Sequence, residues 1–445
     1  MNNRGLESGF FETIISRIGR GTGHLALQGA VPAARPYFVA GLASRINAPI
    51  LVVTATNEEA EVFCEELNFF LPPDDRALLF PAWEVLPFEP MSPSAEISAE
   101  RLATLARLLR SRRPVVVAPL EGVLQYLIPK GKLATAGLEL QKGVTLSWRR
   151  LFRHFSESGY RQASKVEILG EYSRHGGILD FFPPGLPAPV RVELFGDEIE
   201  SLRLFDPETQ RNAGDLEAAE ILPVREILLD GNVLGKLKAH LPSPAGEGDR
   251  DLLGEAARCS GLEHYQAILT GSRQTLLDYL PSEPLVVLSE YTDLESRGEK
   301  FRQEIWQEAE RAIFPELFAP ERAYLDFSGW IGGPVKPPSS TSTLSASRLR
   351  RPRRSGQKRW AAEASSSPGG ERDRRRRPSR RRWARSGRAR NGSAFSSLHG
   401  RRRQPGGCAI SAPSTAWGSG NSLRGTCRPL SATPAPARPT SPTAP

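Results

Sequence analysis

The sequences ILVVTA (residues 50–55) and VVVAP (115–119) decide the fold. Both are short apolar runs, rich in β-branched residues and without polar alternation, which is typical of strands buried on both faces of a parallel sheet. Between them, apolar residues recur at helical spacing over 99–109, after Ser92 as a candidate N-cap. This pattern predicts an α/β domain whose helix packs an apolar stripe against the sheet. The charged residues expected to face water are Glu100, Arg101, Arg107 and Arg110.

The pattern changes after residue 136. Residues 137–223 contain short alternating strands interrupted by Gly and Pro, which indicates an antiparallel sheet in an inserted α+β domain. The apolar run PLVVLSE (284–290) and the charged helical pattern after it indicate that the α/β domain then resumes. The predicted organisation is an N-terminal extension (1–24), a first α/β segment (25–136), the inserted domain (137–223), a second, incomplete α/β segment (224–336) and a tail (337–445).

The charge is divided unequally between the body and the tail. Residues 337–445 hold 24 basic and 3 acidic residues, which leaves 35 basic and 47 acidic residues in the rest of the chain. A body with net charge −12 gives no argument from overall charge for nucleic-acid binding by the folded part. The tail, at +21, is rich in Arg, Ser and Pro and poor in apolar residues, which predicts disorder and non-specific binding to DNA phosphates.

The origin of the tail has two explanations. Its basic residues are 23 Arg and one Lys, and Arg, Ser, Pro, Gly and Ala are the residues that GC-rich DNA encodes when it is translated out of frame. This composition favours a frameshift. A native Arg-rich tail is the alternative.

Several classes of protein are excluded by the motifs. The cysteines Cys64, Cys259, Cys408 and Cys427 are far apart and form no CxxC pair, so neither a disulfide framework nor a zinc site is expected. The six histidines form no HExxH or H-x₃₋₅-H pair, and no Asp/Glu cluster indicates a metal site or a catalytic pair. Because no apolar run of about 18 residues and no signal-peptide core is present, we expect a cytoplasmic protein without a membrane partner.

Three segments resemble the N-terminal region of the bacterial transcription-repair coupling factor family. They are FPAWEVLPFEPMSPSAEISAERLATLARLL (80–109), VVVAPLEGVLQYL (115–127) and the block from GEYSRHGGILDFFPPG to FDPETQR (170–211). The resemblance covers about residues 25–336. It implies a helicase-like α/β domain in two segments, related to that of the UvrB repair subunit, with a smaller inserted domain that binds the UvrA damage-recognition subunit.

The resemblance also implies what the parent family does. That family displaces stalled RNA polymerase at DNA lesions, using ATP and magnesium in a translocase motor, and recruits the nucleotide-excision repair machinery. Neither the motor motifs nor the RNA-polymerase-binding domain is recognised in these 445 residues. We therefore expect a chain without enzyme activity or cofactor, which keeps the UvrA-recruiting module.

The nucleotide site of the helicase-like domain is expected to be degenerate. A working P-loop follows G-x-x-x-x-G-K-[ST], in which the Lys contacts the β/γ phosphates and the hydroxyl holds magnesium. The corresponding octet, GAVPAARP, begins at Gly29 and ends in Ala34, Arg35 and Pro36. Since proline supplies neither a hydroxyl nor an N–H, nucleotide binding is expected to be lost, as the resemblance implies for the family's N-terminal domain.

One predicted strand supplies the candidate partner-binding site. Arg191, Glu193 and Phe195 alternate with Val192 and Leu194, so the first three share one face of an exposed edge and the other two face the core. An arginine, an acid and an aromatic residue have the composition of a protein-binding hot spot. Substitution of Arg191 or Phe195 is then expected to leave the fold intact. The alternative is that Phe195 completes the core and Arg191 is an ordinary solvated residue.

The resemblance assigns UvrA binding to these three positions and to an arginine just before the Gly-Gly of the preceding strand. That fourth position is His175 here, and Arg174 lies one residue earlier. Because neighbours in a strand point to opposite faces, Arg174 is not expected to replace the missing arginine, and weaker docking is expected. The alternative functions are non-specific nucleic-acid binding through the tail and no function, as a truncated product.

We predict that millimolar ATP with magnesium leaves the melting temperature unchanged. The reason is that Ala34, Arg35 and Pro36 remove the lysine and the hydroxyl that the nucleotide and the metal require. Scanning calorimetry with and without nucleotide measures the effect. A concentration-dependent rise of several degrees would contradict the prediction, since a ligand of the native state stabilises it by mass action.

Overall fold

The computed structural model describes residues 3–19, 25–238, 240, 252–331 and 343–348. Its helices are α1 (Asn3–Gly19), α2 (Ala34–Ala43), α3 (Asn57–Phe70), α4 (Ala95–Arg110), α5 (Leu120–Leu124), α6 (Lys130–Ala136), α7 (Trp148–Ser158), α8 (Gly231–Leu237), α9 (Leu252–Ala257), α10 (Gln266–Thr270), α11 (Leu276–Tyr279), α12 (Tyr291–Gln307), α13 (Pro320–Ala323) and α14 (Phe327–Trp330). Its strands are β1 (Leu25–Gln28), β2 (Ile50–Thr54), β3 (Leu78–Leu79), β4 (Val115–Pro119), β5 (Leu138–Gln141), β6 (Arg161–Gln162), β7 (Glu171–His175), β8 (Ile178–Phe181), β9 (Val190–Phe195), β10 (Glu198–Phe205), β11 (Asn212–Leu216), β12 (Ala218–Ile221), β13 (Leu285–Ser289) and β14 (Thr343–Arg348).

The first sheet has the strand order β1-β14-β13-β2-β4-β3. Strands β13, β2, β4 and β3 run parallel, with Ile50 opposite both Leu285 and Val115. Every residue of β2, β4 and β13 is buried, because apolar clusters cover both faces of the sheet. The prediction of an α/β domain with a parallel sheet is confirmed.

The second sheet belongs to the inserted domain and has the order β11-β10-β9-β8-β7-β6. Its pairs are antiparallel except β6 with β7. Helix α7 covers one face: Leu151 and Phe155 pack in one core with the inward residues of β8 and β9, such as Leu179 and Val192. The ribbon of β5 and β12 brings the chain into and out of this domain.

The predicted tail contains one strand of the first sheet, which corrects the expectation of disorder from residue 337 onward. Strand β14 lies between β1 and β13 and is antiparallel to both. Composition did not indicate this strand because ladder hydrogen bonds join backbone groups and need no apolar side chain. Residues 332–342 and 349–445 lie outside the described residues, and their disorder stays a prediction.

The described residues contain neither a membrane-spanning helix nor a metal-binding cluster. No helix among them is long and apolar enough to cross a membrane. No group of three or more His, Cys, Asp or Glu side chains within the same ranges could hold a metal ion. Cys64 and Cys259 are free thiols, while Cys408 and Cys427 fall outside the described part of the chain.

Helix α4 differs from its predicted form at two points. It begins at Ala95 with Ser94 as its N-cap, two residues later than predicted, since the Ser94 hydroxyl accepts from the Ile97 N–H. Glu100, Arg107 and Arg110 are exposed as expected, but Arg101 is completely buried. The prediction for Arg101 was therefore wrong.

Arg101 is buried because the polar partners of its guanidinium lie elsewhere in the chain. Nε and Nη2 donate to the two carboxylate oxygens of Glu226 at 2.5 and 3.1 Å. Nη1 donates to the Pro81 carbonyl at 2.6 Å, and Nη2 also donates to Gln125 Oε1 at 2.8 Å. A second donor to Glu226 is Trp83 Nε1 at 2.7 Å. The charges are buried as a hydrogen-bonded pair, which is the condition under which proteins tolerate buried ions.

We predict that Arg101→Ala lowers the free energy of unfolding by about 3–5 kcal/mol, because the Glu226 carboxylate loses its counter-charge inside the protein. Arg107→Ala is the matched control on the same helix. Its side chain is exposed, so a change within about 0.5 kcal/mol is expected. Urea denaturation measures both variants, and equal effects would contradict the role of the buried pair.

We predict that limited digestion with proteinase K, a protease of broad specificity, leaves a resistant fragment that extends through Arg348, because β14 is paired on both sides. Intact-mass measurement locates the end of the fragment. Ala346→Pro removes one backbone donor from this strand and should move the cut to a position before Thr343. A wild-type fragment that already ends before Thr343 would show that the strand is not held in the sheet.

Candidate partner-binding surface

Strand β9 carries the predicted alternation. Val192 is fully buried under α7, whereas Phe195 is 81% exposed on the outer face of the sheet. Two expectations need correction. β9 is an interior strand, between β8 and β10, so its outward residues lie on a sheet face and not on an edge. Phe195 does not complete the core, which removes that alternative.

Arg191 is held in an ion pair across two strands. It lies opposite Asp180 of β8, and its Nε and Nη2 donate to the Asp180 carboxylate at 2.8 and 2.7 Å. Nη2 also donates to Gln210 Oε1 at 2.9 Å, and the guanidinium carbon lies 4.6 Å from the centre of the Phe205 ring. The hydrogen bond with Asp180 raises the pKa of Arg191.

The burial of this ion pair determines how a substitution of Arg191 would affect the stability of the domain. The Arg191 side chain is 20% exposed and that of Asp180 only 8%. Arg191 is therefore not an ordinary solvated residue, which removes that alternative. Because its removal would leave a buried carboxylate without its counter-charge, we expect substitution of Arg191 to destabilise the domain, unlike the expectation from the sequence.

Glu193 is also held by its neighbours. It lies opposite Ser201 of β10, whose hydroxyl donates to it at 2.8 Å, and it forms an ion pair with Arg203. The charge of Glu193 is thus balanced by Arg203 on the same face. Its carboxylate is half-buried and held in a fixed position.

Ile178 is an exposed residue on this face that the sequence pattern did not indicate. Ile178 lies opposite both His175 of β7 and Glu193 of β9, and it is 36% exposed. The alternation of β8 could have shown that Ile178 shares a face with Asp180. Only the register of the neighbouring strands, however, places it beside the other candidates.

His175 and Arg174 point to opposite faces, as the alternation predicted. His175 Nε2 lies 3.0 Å from the Ser173 hydroxyl and 2.9 Å from the Ser164 carbonyl, and the ring is exposed. The Arg174 guanidinium instead lies 3.9 Å from the centre of the Trp148 ring, at the start of α7. We call the surface formed by His175, Ile178, Arg191, Glu193 and Phe195 the docking face.

The octet from Gly29 to Pro36 forms the β1–α2 turn and the first residues of α2. The N–H groups of Ala34 and Arg35 donate to the carbonyls of Val31 and Pro32 at 2.9 and 3.1 Å, and Pro36 has no N–H. Near the position expected for the phosphate-binding lysine, the N–H groups of Ala34 and Arg35 are thus used within the turn and Pro36 offers none.

Arg35, at the position predicted to correspond to the P-loop lysine, is buried in an ion pair with Glu290 at the end of β13. Its Nη1 also donates to the Ser289 hydroxyl at 3.3 Å. Glu290 itself has a φ of 53°, in the left-handed region that non-glycine residues rarely adopt. These residues do not fit ATP with magnesium, because the cation is already paired and no hydroxyl replaces Pro36.

Comparison with known proteins finds one matching domain family and several similar proteins. Residues 138–226 match the UvrB interaction domain family. The chain is 30% identical over 312 residues to the transcription-repair-coupling factor of Haemophilus influenzae, 28% over 317 residues to that of Bacillus subtilis and 29% over 297 residues to that of Escherichia coli. These alignments cover 68%, 67% and 64% of this chain and 27%, 27% and 25% of the respective relatives.

The chain thus spans about a quarter of the length of the curated relatives it matches. The match to the interaction domain coincides with the second sheet and with α7, and Glu226 is its last residue. Over about two thirds of its length the chain is similar to transcription-repair-coupling factors, and together with the UvrB interaction domain this similarity is consistent with an N-terminal fragment of that family.

Proposed function

We propose that this chain is the UvrA-recruiting module of a transcription-repair-coupling factor and that the docking face binds UvrA. The observation that carries the proposal is the exposure of Phe195 on a sheet face of the UvrB interaction domain. A phenylalanine that is 81% exposed buries little apolar surface in the free chain, whereas a partner's pocket would remove it from water. Large aromatic anchors of this kind dominate protein interfaces.

The ion pairs around Phe195 support the same role. Arg191 uses Nε and Nη2 within the face, while its Nη1 makes no hydrogen bond within the described residues. Asp180 and Gln210 therefore hold the guanidinium in place with one nitrogen left for a partner. A charge that is fixed before binding loses less side-chain entropy on binding.

The work of the parent family stays a proposal for this chain. We infer that a longer protein displaces stalled RNA polymerase at DNA lesions with an ATP-dependent motor and that this chain contributes recruitment alone, in a cytoplasmic repair reaction. The engaged donors of the β1–α2 turn support the proposal that the chain neither binds nor hydrolyses ATP. Contact with RNA polymerase belongs to the longer protein.

Non-specific DNA binding through the Arg-rich tail is the second candidate function, supported by 24 basic against 3 acidic residues after residue 336. Deletion of the tail separates the two functions. Because β14 belongs to the first sheet, the deletion should begin after Arg348 and not at residue 337. UvrA binding should survive it, and most DNA binding should be lost.

We predict that Phe195→Ala weakens UvrA binding by about 1–4 kcal/mol without changing the melting temperature, since the side chain is an exposed anchor. Isothermal titration calorimetry measures the affinity. Phe69→Ala is the matched control: Phe69 is 84% exposed on α3, outside the interaction domain, and its removal should leave binding unchanged. The proposal fails if Phe195→Ala binds as tightly as the wild type, or if both variants lose the same affinity.

Arg191→Ala needs a stability measurement beside the binding measurement. We expect it to weaken binding and also to destabilise the domain by about 1–3 kcal/mol, because Asp180 remains buried without its partner.

His175→Arg tests the position at which this chain departs from the family. It should tighten binding, because a permanently charged guanidinium replaces an imidazole on the same face.

A further inference from the structure

The inserted domain has a second charged surface, on the side of its sheet opposite the docking face. Helix α7 buries Leu151 and Phe155 against the inner face of the sheet, so the other side of the helix faces solvent. Arg149, Arg150 and Arg153 lie on that side and are exposed. None of the three forms an ion pair with any described residue of the chain.

A fourth guanidinium lies against aromatic residues of the same helix. Arg174 of β7 is exposed and lies 3.9 Å from the centre of the Trp148 ring and 5.8 Å from that of Phe152. It donates from Nε to the Gly176 carbonyl at 3.4 Å, and neither Nη atom has a partner within the described residues. The aromatic rings thus hold the cation while its outer donors stay available. We call Arg149, Arg150, Arg153 and Arg174 the arginine patch.

The arginine patch is electrostatically unfavourable in the chain alone. Arg149 and Arg153 are like charges at i and i+4 on one helix, an arrangement that destabilises helices. Arg149 and Arg150 also lie in the first turn of α7, which contains no acidic residue, and the helix dipole disfavours cations there. A polyanion would relieve both effects. The body carries a net charge of −12, so the patch is a local exception to its surroundings.

We propose that the arginine patch binds the phosphate backbone of duplex DNA. The two rings near it argue against recognition of unpaired bases, which needs a free aromatic face. Trp148 is covered by Arg174 on one side and stacks on Phe152, with ring centres 5.7 Å apart and an angle of 19° between the planes. The available groups are guanidinium donors, which contact phosphate without reading sequence.

The same surface is a poor match for a protein partner. Protein hot spots combine arginines with an exposed aromatic or apolar anchor, as Phe195 is on the docking face. None of the exposed large apolar residues of the described chain lies on α7. Because the two surfaces lie on opposite sides of one sheet, DNA on the patch leaves the docking face open to a protein.

The test compares two triple variants of the full chain, so that the basic tail contributes equally to both. The first is Arg149→Ala/Arg150→Ala/Arg153→Ala. The control, Arg107→Ala/Arg112→Ala/Arg113→Ala, removes the same charge from exposed arginines outside the interaction domain. Fluorescence anisotropy with a duplex oligonucleotide of arbitrary sequence gives the binding constant over a range of salt concentrations.

We expect the slope of log K against log salt to become shallower by about 2–3 in the first variant and to stay unchanged in the control, since each lost phosphate contact removes about 0.9. Equal slopes in the two variants would overturn the proposal. A first variant that keeps its DNA binding but loses UvrA binding would also overturn it, and would assign the patch to a protein partner. Circular dichroism checks that α7 is intact, and removal of like charges from its first turn favours that outcome.

Discussion

The buried ion pair between Arg101 and Glu226 joins the two parts of this molecule. Arg101 projects from α4 of the α/β domain, while Glu226 is the last residue of the matched interaction domain. The neighbouring pair of Arg225 and Glu263, at 2.5 Å, ties the preceding residue to the segment that follows α9. Because unpaired buried charges are very unfavourable, these pairs restrict the inserted domain to positions in which both are formed. They thereby fix the direction of the docking face relative to the parallel sheet.

Two kinds of surface follow from that arrangement. On the docking face, the charges are balanced by neighbours in the next strands, as in the pairs of Arg191 with Asp180 and Glu193 with Arg203, and the exposed apolar area is that of Ile178 and Phe195. On the outer side of α7, Arg149, Arg150 and Arg153 form no ion pair within the described part of the chain. The first surface is suited to the apolar pocket of a protein and the second to a polyanion.

The α/β domain carries its candidate nucleotide site at the ends of its parallel strands, which is where such sheets bind ligands. At β1 and β13, that place is taken by the pair of Arg35 and Glu290 and by a turn in which the N–H groups of Ala34 and Arg35 are already used. Under the proposed function, this domain serves as a base for the inserted domain.

The sequence by itself determined the parallel strands, the alternating strands that follow residue 136 and the faces on which Arg174, His175 and Phe195 lie, because apolar runs and alternation are local periods of the chain. The tertiary structure alone decided that Arg101 is buried, that Asp180 holds Arg191 and that β14 enters the sheet. The physical reason is distance along the chain: Arg101 and Glu226 are 125 residues apart, and no local period records which distant carboxylate will meet a guanidinium. Periodicity determines the face on which a side chain lies, and register between strands determines its neighbours.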